Sequence, residues 1–155
     1  MYMVKVLSYV PGLCRSCHRC ELYCSFHRFK THNPSLSGIR VISYASALQE
    51  PVICRQCGLC MNACPIPGAM KRDTKLGVIE ITNKCSGCGR CILSCPYGVI
   101  VINPITRKAI KCDYCHGDPV CVKHCPFNAL VYVDAEKAAE LRRITCASVA
   151  GILRM

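Results

Sequence analysis

The sequence predicts an α+β protein made of two nested units of short strands and one-turn helices, closed by a C-terminal helix. Three observations carry that expectation. Sixteen of the 17 cysteines in a chain of 155 residues fall into four groups, and every group ends in a Cys-x3-Cys step. Apolar runs of strand length flank these groups. After residue 135 the composition changes to helix formers without proline.

Taken in order, Val4-Lys5-Val6-Leu7 is the first strand candidate and leads into group one, Cys14, Cys17, Cys20 and Cys24. Ser25 to Ile53 is the longest stretch between groups. It holds the breaker-rich Asn33-Pro34-Ser35-Leu36-Ser37-Gly38 and then a strand candidate, Ile39 to Tyr44. Group two is Cys54, Cys57, Cys60 and Cys64, followed by Pro65. Pro65 to Lys84 reads as strand signals around a turn, with Val78-Ile79-Glu80-Ile81-Thr82 alternating into group three, Cys85, Cys88, Cys91 and Cys95. After Pro96 comes the strand candidate Gly98 to Ile102, and Asn103-Pro104 marks a turn. Group four, Cys112, Cys115, Cys121 and Cys125, has a longer x5 loop and ends at Pro126. Ala129 to Val133 is its strand. Asp134 is the expected N-cap of a helix over Lys137 to Leu153, with Leu141, Ile144, Val149 and Ile152 on an approximate apolar stripe. That stripe packs on the protein's own core or docks on a partner, and deletion of 137–155 separates the two.

The C-x2-C-x2-C-x3-C-P run is the bacterial ferredoxin signature; groups two and three carry it in full, groups one and four vary it, and the four groups together predict four [4Fe-4S] clusters. Iron in such a cluster takes soft thiolate ligands. Three cysteines at x2-x2 spacing wrap a loop around one cube. The fourth, on the helical turn that follows, faces away and ligates the partner cluster, and the proline then ends the turn. Residues 51–102 therefore read as an inner two-cluster unit of bacterial-ferredoxin, βαβ type. In it Cys54, Cys57, Cys60 and Cys95 hold one cluster, and Cys85, Cys88, Cys91 and Cys64 the other. The matching strands before group one and after group four make 1–50 with 103–135 an outer unit, into which the inner one is inserted. There Cys14, Cys17, Cys20 and Cys125 hold one cluster, and Cys112, Cys115, Cys121 and Cys24 the other. Residues 136–155 form the closing helix.

Other readings of the cysteines fit less well. A disulfide scaffold is opposed by the odd count, by the spacing and by the lack of a long apolar run in Met1–Val10. Zinc ribbons use paired Cys-x2-Cys but not a third cysteine or the Cys-x3-Cys-Pro ending. Cys146 is expected to be a buried free thiol in the last helix. His18, His116 and His124 sit beside ligand cysteines as polar loop residues, and Glu21, Asp73, Asp113 and Asp118 form no evident acid–base pair. No nucleotide motif appears, so the chain is not expected to be an enzyme on its own.

The formal charge of +11 would suggest nucleic acid if the cysteines were neutral thiols. Each oxidised cluster with its four thiolates adds about −2, which brings the total to roughly +3. The excess lysine and arginine is thus internal compensation, and no nucleic-acid partner is expected. No run reaches the roughly 20 apolar residues of a membrane span. Free thiolates point to a cytoplasmic location. Loops and cysteines bury little hydrocarbon, so cluster binding should supply much of the folding free energy.

Residues 1–133 resemble the four-cluster ferredoxin-type subunits of molybdenum and tungsten oxidoreductases, with related ones serving carbon monoxide dehydrogenases and hydrogenases. Cys17-His18-Arg19-Cys20-Glu21-Leu22-Tyr23-Cys24-Ser25-Phe26, then Asn33 to Ser37, Ile39-Arg40-Val41, Lys111 to Cys115 and Asp118 to Cys121, are most similar to the small iron–sulfur subunit of tungsten-containing aldehyde oxidoreductases. The resemblance implies that groups one and four pair. It also implies a large tungsten- or molybdenum-pterin subunit that does the chemistry, with a soluble ferredoxin or a flavin subunit as the other electron partner. A free-standing polyferredoxin, or the electron-transfer subunit of a carbon monoxide dehydrogenase or hydrogenase, is the alternative. Group one departs from the pattern, having Ser25 where the other groups have proline.

Overall fold

The computed structural model describes residues 4–44 and 48–152. It is a small α+β structure of short strands paired two by two. The first strand, β1 (Lys5–Tyr9), is antiparallel to the last, β8 (Leu130–Asp134), with Leu7 opposite Tyr132. This pairing brings the segment before group one against the segment after group four. Between them lie three hairpins: β2 (Ile39–Tyr44) with β3 (Leu48–Ile53), β4 (Met70–Arg72) with β5 (Ile79–Ile81), and β6 (Val101–Ile102) with β7 (Ala109–Ile110).

The strand β3 was not foreseen, since Pro51 lies inside it. Pro51 faces Val41, whose N–H turns away from the ladder to Glu21 Oε1 at 2.8 Å. The missing proline N–H therefore falls where the ladder makes no bond. The run Gly98 to Ile102 narrows to the two-residue β6, because Gly98 takes a positive φ of 61°.

The last two hairpins share one turn. Asp73 Oδ1 accepts from the N–H groups of Lys75 and Leu76, and Asn103 Oδ1 from those of Ile105 and Thr106. Gly77 and Arg107 close the two turns with positive φ. Side-chain capping of this kind is what Asp and Asn offer a tight turn.

Three helices are single turns, α2 (Leu59–Asn62), α3 (Arg90–Leu93) and α4 (Val120–Lys123). The helix of group one, α1 (Arg19–Phe29), runs for 11 residues. The reason is Ser25: without a proline after the fourth cysteine the helix continues until Lys30 caps it in the left-handed region. Helix α5 (Ala135–Ile152) packs on β1 and β8 through buried Ala138 and Leu141. Ile144 is half exposed, and the side chains of Val149, Ile152 and Cys146 lie outside the described residues. Asp134 ends β8 immediately before α5, yet its buried Oδ1 has no hydrogen-bond partner, so that oxygen does not cap the helix.

Two apolar cores form. One gathers Leu7, Ile39, Ile53, Val78, Tyr114 and Leu130 with Cys20, Cys24 and Cys121. The other gathers Met70, Ile79, Ile100 and Ala109 with Cys60 and Cys91. Cysteine occupies positions that aliphatic side chains would fill in an ordinary domain of this size. Among the described residues no helix is long and apolar enough to cross a membrane.

Candidate metal centres

Every cysteine loop follows the same backbone code. In groups one to three, the residue before the second cysteine and the residue after it both have positive φ: Ser16 and His18, Gln56 and Gly58, Gly87 and Gly89. Group four repeats this at Tyr114 and His116, with Cys115 and Gly117 also positive. Holding non-glycine residues there costs about 1–3 kcal/mol each. The strain recurs at equivalent positions whatever the side chain, so the loop shape is what is kept. Consecutive N–H groups in such turns form a concavity suited to an anion. The third cysteine of each group then enters a helix: Cys20 in α1, Cys60 in α2, Cys91 in α3 and Cys121 in α4.

Three cavities each gather three cysteines from one group and one from another. Cys14, Cys17 and Cys20 line the first together with Cys125. Cys54, Cys57 and Cys60 line the second with Cys95, and Cys85, Cys88 and Cys91 line the third with Cys64. The remaining four are Cys112, Cys115, Cys121 and Cys24: burial first raises Cys112, Cys115 and Cys121, and Cys24 adds to all three, with Cys54 contributing more than Cys24 at Cys112. These sixteen thiols are all free of disulfides.

Burial opposes ionisation of several of them. Burial, then the Glu21 carboxylate, pushes Cys20 up to about 12. Burial, then Cys85, pushes Cys91 up to about 11. Burial also raises Cys54 and Cys60, but Lys111 opposes it there. Four thiolates in one such cavity need a cationic group to offset them, and a set of sulfur donors alone suits iron in a sulfide cube. Among the described residues no group of three or more His, Cys, Asp or Glu is placed to hold a single metal ion.

Among the described residues, backbone amides reach several of the sulfurs. Gly38 N–H donates to Cys24 Sγ at 3.4 Å, Ala109 to Cys85 at 3.5 Å, Tyr114 to Cys112 at 3.5 Å and Ala129 to Cys125 at 3.3 Å. Such bonds help set the potential of an iron–sulfur centre. Sequence reasoning missed them because main-chain donors leave no trace in residue type.

The acids are tethers rather than catalytic groups. Buried Glu21 holds His18 Nδ1 at 2.8 Å with one oxygen and the Val41 N–H with the other. Arg28 meets Asp113 at 3.3 Å and also donates to the Lys111 carbonyl, and Lys123 pairs with Asp118. His124 stacks on Tyr23 with ring centroids 3.7 Å apart, and His116 Nδ1 lies 3.3 Å from Glu80. Glu21 and His18 thus form a hydrogen-bonded contact that the sequence did not show. The other missed pair is Lys111 and Gln56, both buried between the second cavity and Cys112.

Comparison with known proteins places the chain among iron–sulfur proteins. The 4Fe-4S dicluster domain model matches residues 45–135, and a 4Fe-4S binding domain model matches residues 11–27. The polyferredoxin-like subunit of aliphatic sulfonate oxidoreductase from Pyrococcus furiosus is 36% identical over 118 residues, covering 74% of this chain and 68% of the relative. The electron transport protein HydN of Escherichia coli K12 is 33% identical over 163 residues, covering 85% and 91%. A chain from the active-site complex BamBC of benzoyl coenzyme A reductase aligns over 98% of both chains at 22% identity, with a TM-score of 0.49.

Proposed function

The chain belongs to the 4Fe-4S dicluster family as an iron–sulfur electron-transfer subunit of oxidoreductase complexes, and from that premise we propose that its sixteen grouped cysteines hold four [4Fe-4S] clusters in two nested ferredoxin-like units. The observation that carries this reading is the composition of the three cavities, each with three cysteines from one loop and one from another. The fourth set is Cys112, Cys115, Cys121 and Cys24, and Cys146 is not a ligand.

When bound, the clusters supply one-electron oxidation and reduction. The chain supplies ligands, backbone N–H hydrogen bonds to the sulfurs and largely apolar walls, with Cys17, Cys57 and Cys88 at the exposed side of their sites. It also orders the sites. Tyr114 Oη donates to the Cys54 carbonyl at 3.5 Å, and Gln56 Nε2 donates to the Cys112 carbonyl at 2.8 Å, so the Cys54 and Cys112 sets are neighbours. The order is then Cys14 set, Cys112 set, Cys54 set, Cys85 set, with an end site at each extremity.

The electron partners in this reading are a large tungsten- or molybdenum-pterin subunit of aldehyde oxidoreductase type at one end and a ferredoxin or flavin carrier at the other. Counting iron and acid-labile sulfide tests the clusters, with about sixteen of each per chain expected. Eight of each would remove one unit from the proposal. Native mass analysis with metal determination tests the partner: tungsten or molybdenum in a stable complex supports it, and a lone chain of full cluster content supports the free-standing polyferredoxin instead.

A further inference from the structure

Lys111 is a lysine where a small cysteine-rich protein has least reason to place one. It is 2% exposed, and its Nζ donates three hydrogen bonds, to Gln56 Oε1 at 2.7 Å, the Ile79 carbonyl at 2.7 Å and the Cys112 carbonyl at 2.8 Å. The Gln56 amide is fixed by two backbone groups, its Oε1 accepting from the Ile79 N–H at 3.0 Å and its Nε2 donating to the Cys112 carbonyl. Oxygen therefore faces Lys111. All three partners are acceptors, so together they use all three N–H bonds of an ammonium group.

These acceptors are neutral. A buried cation with only neutral partners is expensive unless an anion lies close by. The anion available is the thiolate set of the second cavity, which Lys111 lines beside Cys54, Gln56, Cys57, Cys60 and Cys95. The third cavity, within the same proposed unit, is lined by Cys64, Cys85, Cys88 and Cys91 with small and apolar residues and no lysine or arginine. Two sites with the same ligand chemistry thus differ by one full buried charge. Adding an electron makes a cluster more negative, and a fixed positive charge beside it favours that state.

We propose that Lys111 is an electrostatic tuning residue that holds the centre at Cys54, Cys57, Cys60 and Cys95 at a higher reduction potential than the centre at Cys64, Cys85, Cys88 and Cys91. The second cavity is then the resting place of an electron between the outer and inner units. Gln56 is the positioning residue that aims Lys111, and its left-handed φ of 53° is part of the loop that holds it there. This rests on the four-cluster reading.

The test is a redox titration of the fully loaded chain followed by electron paramagnetic resonance, comparing the native protein with Lys111→Met and Lys111→Arg. In Lys111→Met the equilibrium constant for reducing one centre falls about tenfold, which is 59 mV for a one-electron couple. Lys111→Arg restores most of the loss, which a purely structural strut would not predict. Unshifted potentials in a fully loaded Lys111→Met protein overturn the proposal, as does an equal fall in Lys111→Arg. If Lys111→Met fails to fold, the native lysine still provides a test. Cys57→Ser and Cys88→Ser each identify one component of the titration, and the component altered by Cys57→Ser must lie at the higher potential. The reverse order overturns the proposal. An iron count well below sixteen in the native chain overturns the cluster reading itself and is seen before any titration.

Discussion

Gly87 and Gly89 allow a direct test of how tightly the third cysteine loop is built. Both lie in the left-handed region, with φ of 74° and 79°. An added Cβ on Gly89 meets nothing within 4 Å, so Gly89→Ala carries only the conformational penalty, about 1 kcal/mol. A Cβ on Gly87 would overlap the Arg107 carbonyl oxygen, with the carbonyl carbon 3.0 Å away. That carbonyl is backbone in the β6–β7 turn and cannot swing aside. The turn would have to withdraw, weakening the Arg107-to-Asn103 bond of 2.8 Å and the Asn103-to-Lys108 bond of 2.9 Å. At about 1 kcal/mol for each bond, Gly87→Ala should cost about 3 kcal/mol in all. The same shift pulls Ala109 N–H from Cys85 Sγ. Iron content after anaerobic reconstitution and the urea midpoint of the loaded protein are the assays. Gly89→Ala should keep nearly full iron, while Gly87→Ala should lose about a quarter of it or more. Equal midpoints and equal iron in the two variants would refute the close approach of the turn to the loop.

The remaining predictions concern other links between fold and site. Ser25→Pro removes an N–H inside α1 and also the buried Oγ that accepts from the Asn33 N–H, and should cost about 3 kcal/mol with loss of group-one clusters; circular dichroism and iron analysis check it. Glu21→Ala leaves the Val41 N–H without its acceptor and should lower stability by about 1–3 kcal/mol, whereas Glu21→Gln should lose less; the urea midpoints must fall in that order. Complete iron removal should leave a largely unfolded chain, and a native circular dichroism spectrum with a cooperative melt afterwards would contradict it. Deleting 137–155 uncovers β1 and β8 where Ala138 and Leu141 pack, so the midpoint should fall even in the isolated subunit; an unchanged midpoint with loss of complex formation would assign the helix to a partner instead.

Much of the fold was legible because cysteine spacing and strand-length runs are local signals. Ile39 to Tyr44 is a strand at the expected residues, and the departure of Ser25 from the proline pattern marked the place where the helix of group one runs on. Less local features left no sequence signal. The turn at Arg107 matches the one at Gly77, but arginine carries no preference for positive φ, so the repeat was hidden. Pro51 argued against a strand until Glu21 was seen to take the N–H of its partner Val41. Lys111 reads as an ordinary surface cation, since lysine is almost never fully buried, and only the tertiary contacts of Gln56, Ile79 and Cys112 place it inside.

The placement of each group's last cysteine has a consequence for assembly. The cavity of the first loop includes Cys125, and that of the third includes Cys64, so no cavity is complete until a distant loop has arrived. The cavities at Cys54 and Cys85 draw on residues 54 to 111, including Ile100, Ala109 and Lys111, and the inner pair therefore closes within one stretch of chain. The outer pair needs the β1–β8 pairing, which joins residues more than a hundred positions apart. Closing that longer loop adds little entropy cost beyond a short one, because the cost grows only with the logarithm of length. What it adds is dependence: a centre lost in one loop removes a ligand from its neighbour. In the proposed ligation, the crossing that sets two centres side by side for electron transfer also makes each pair fold and load together.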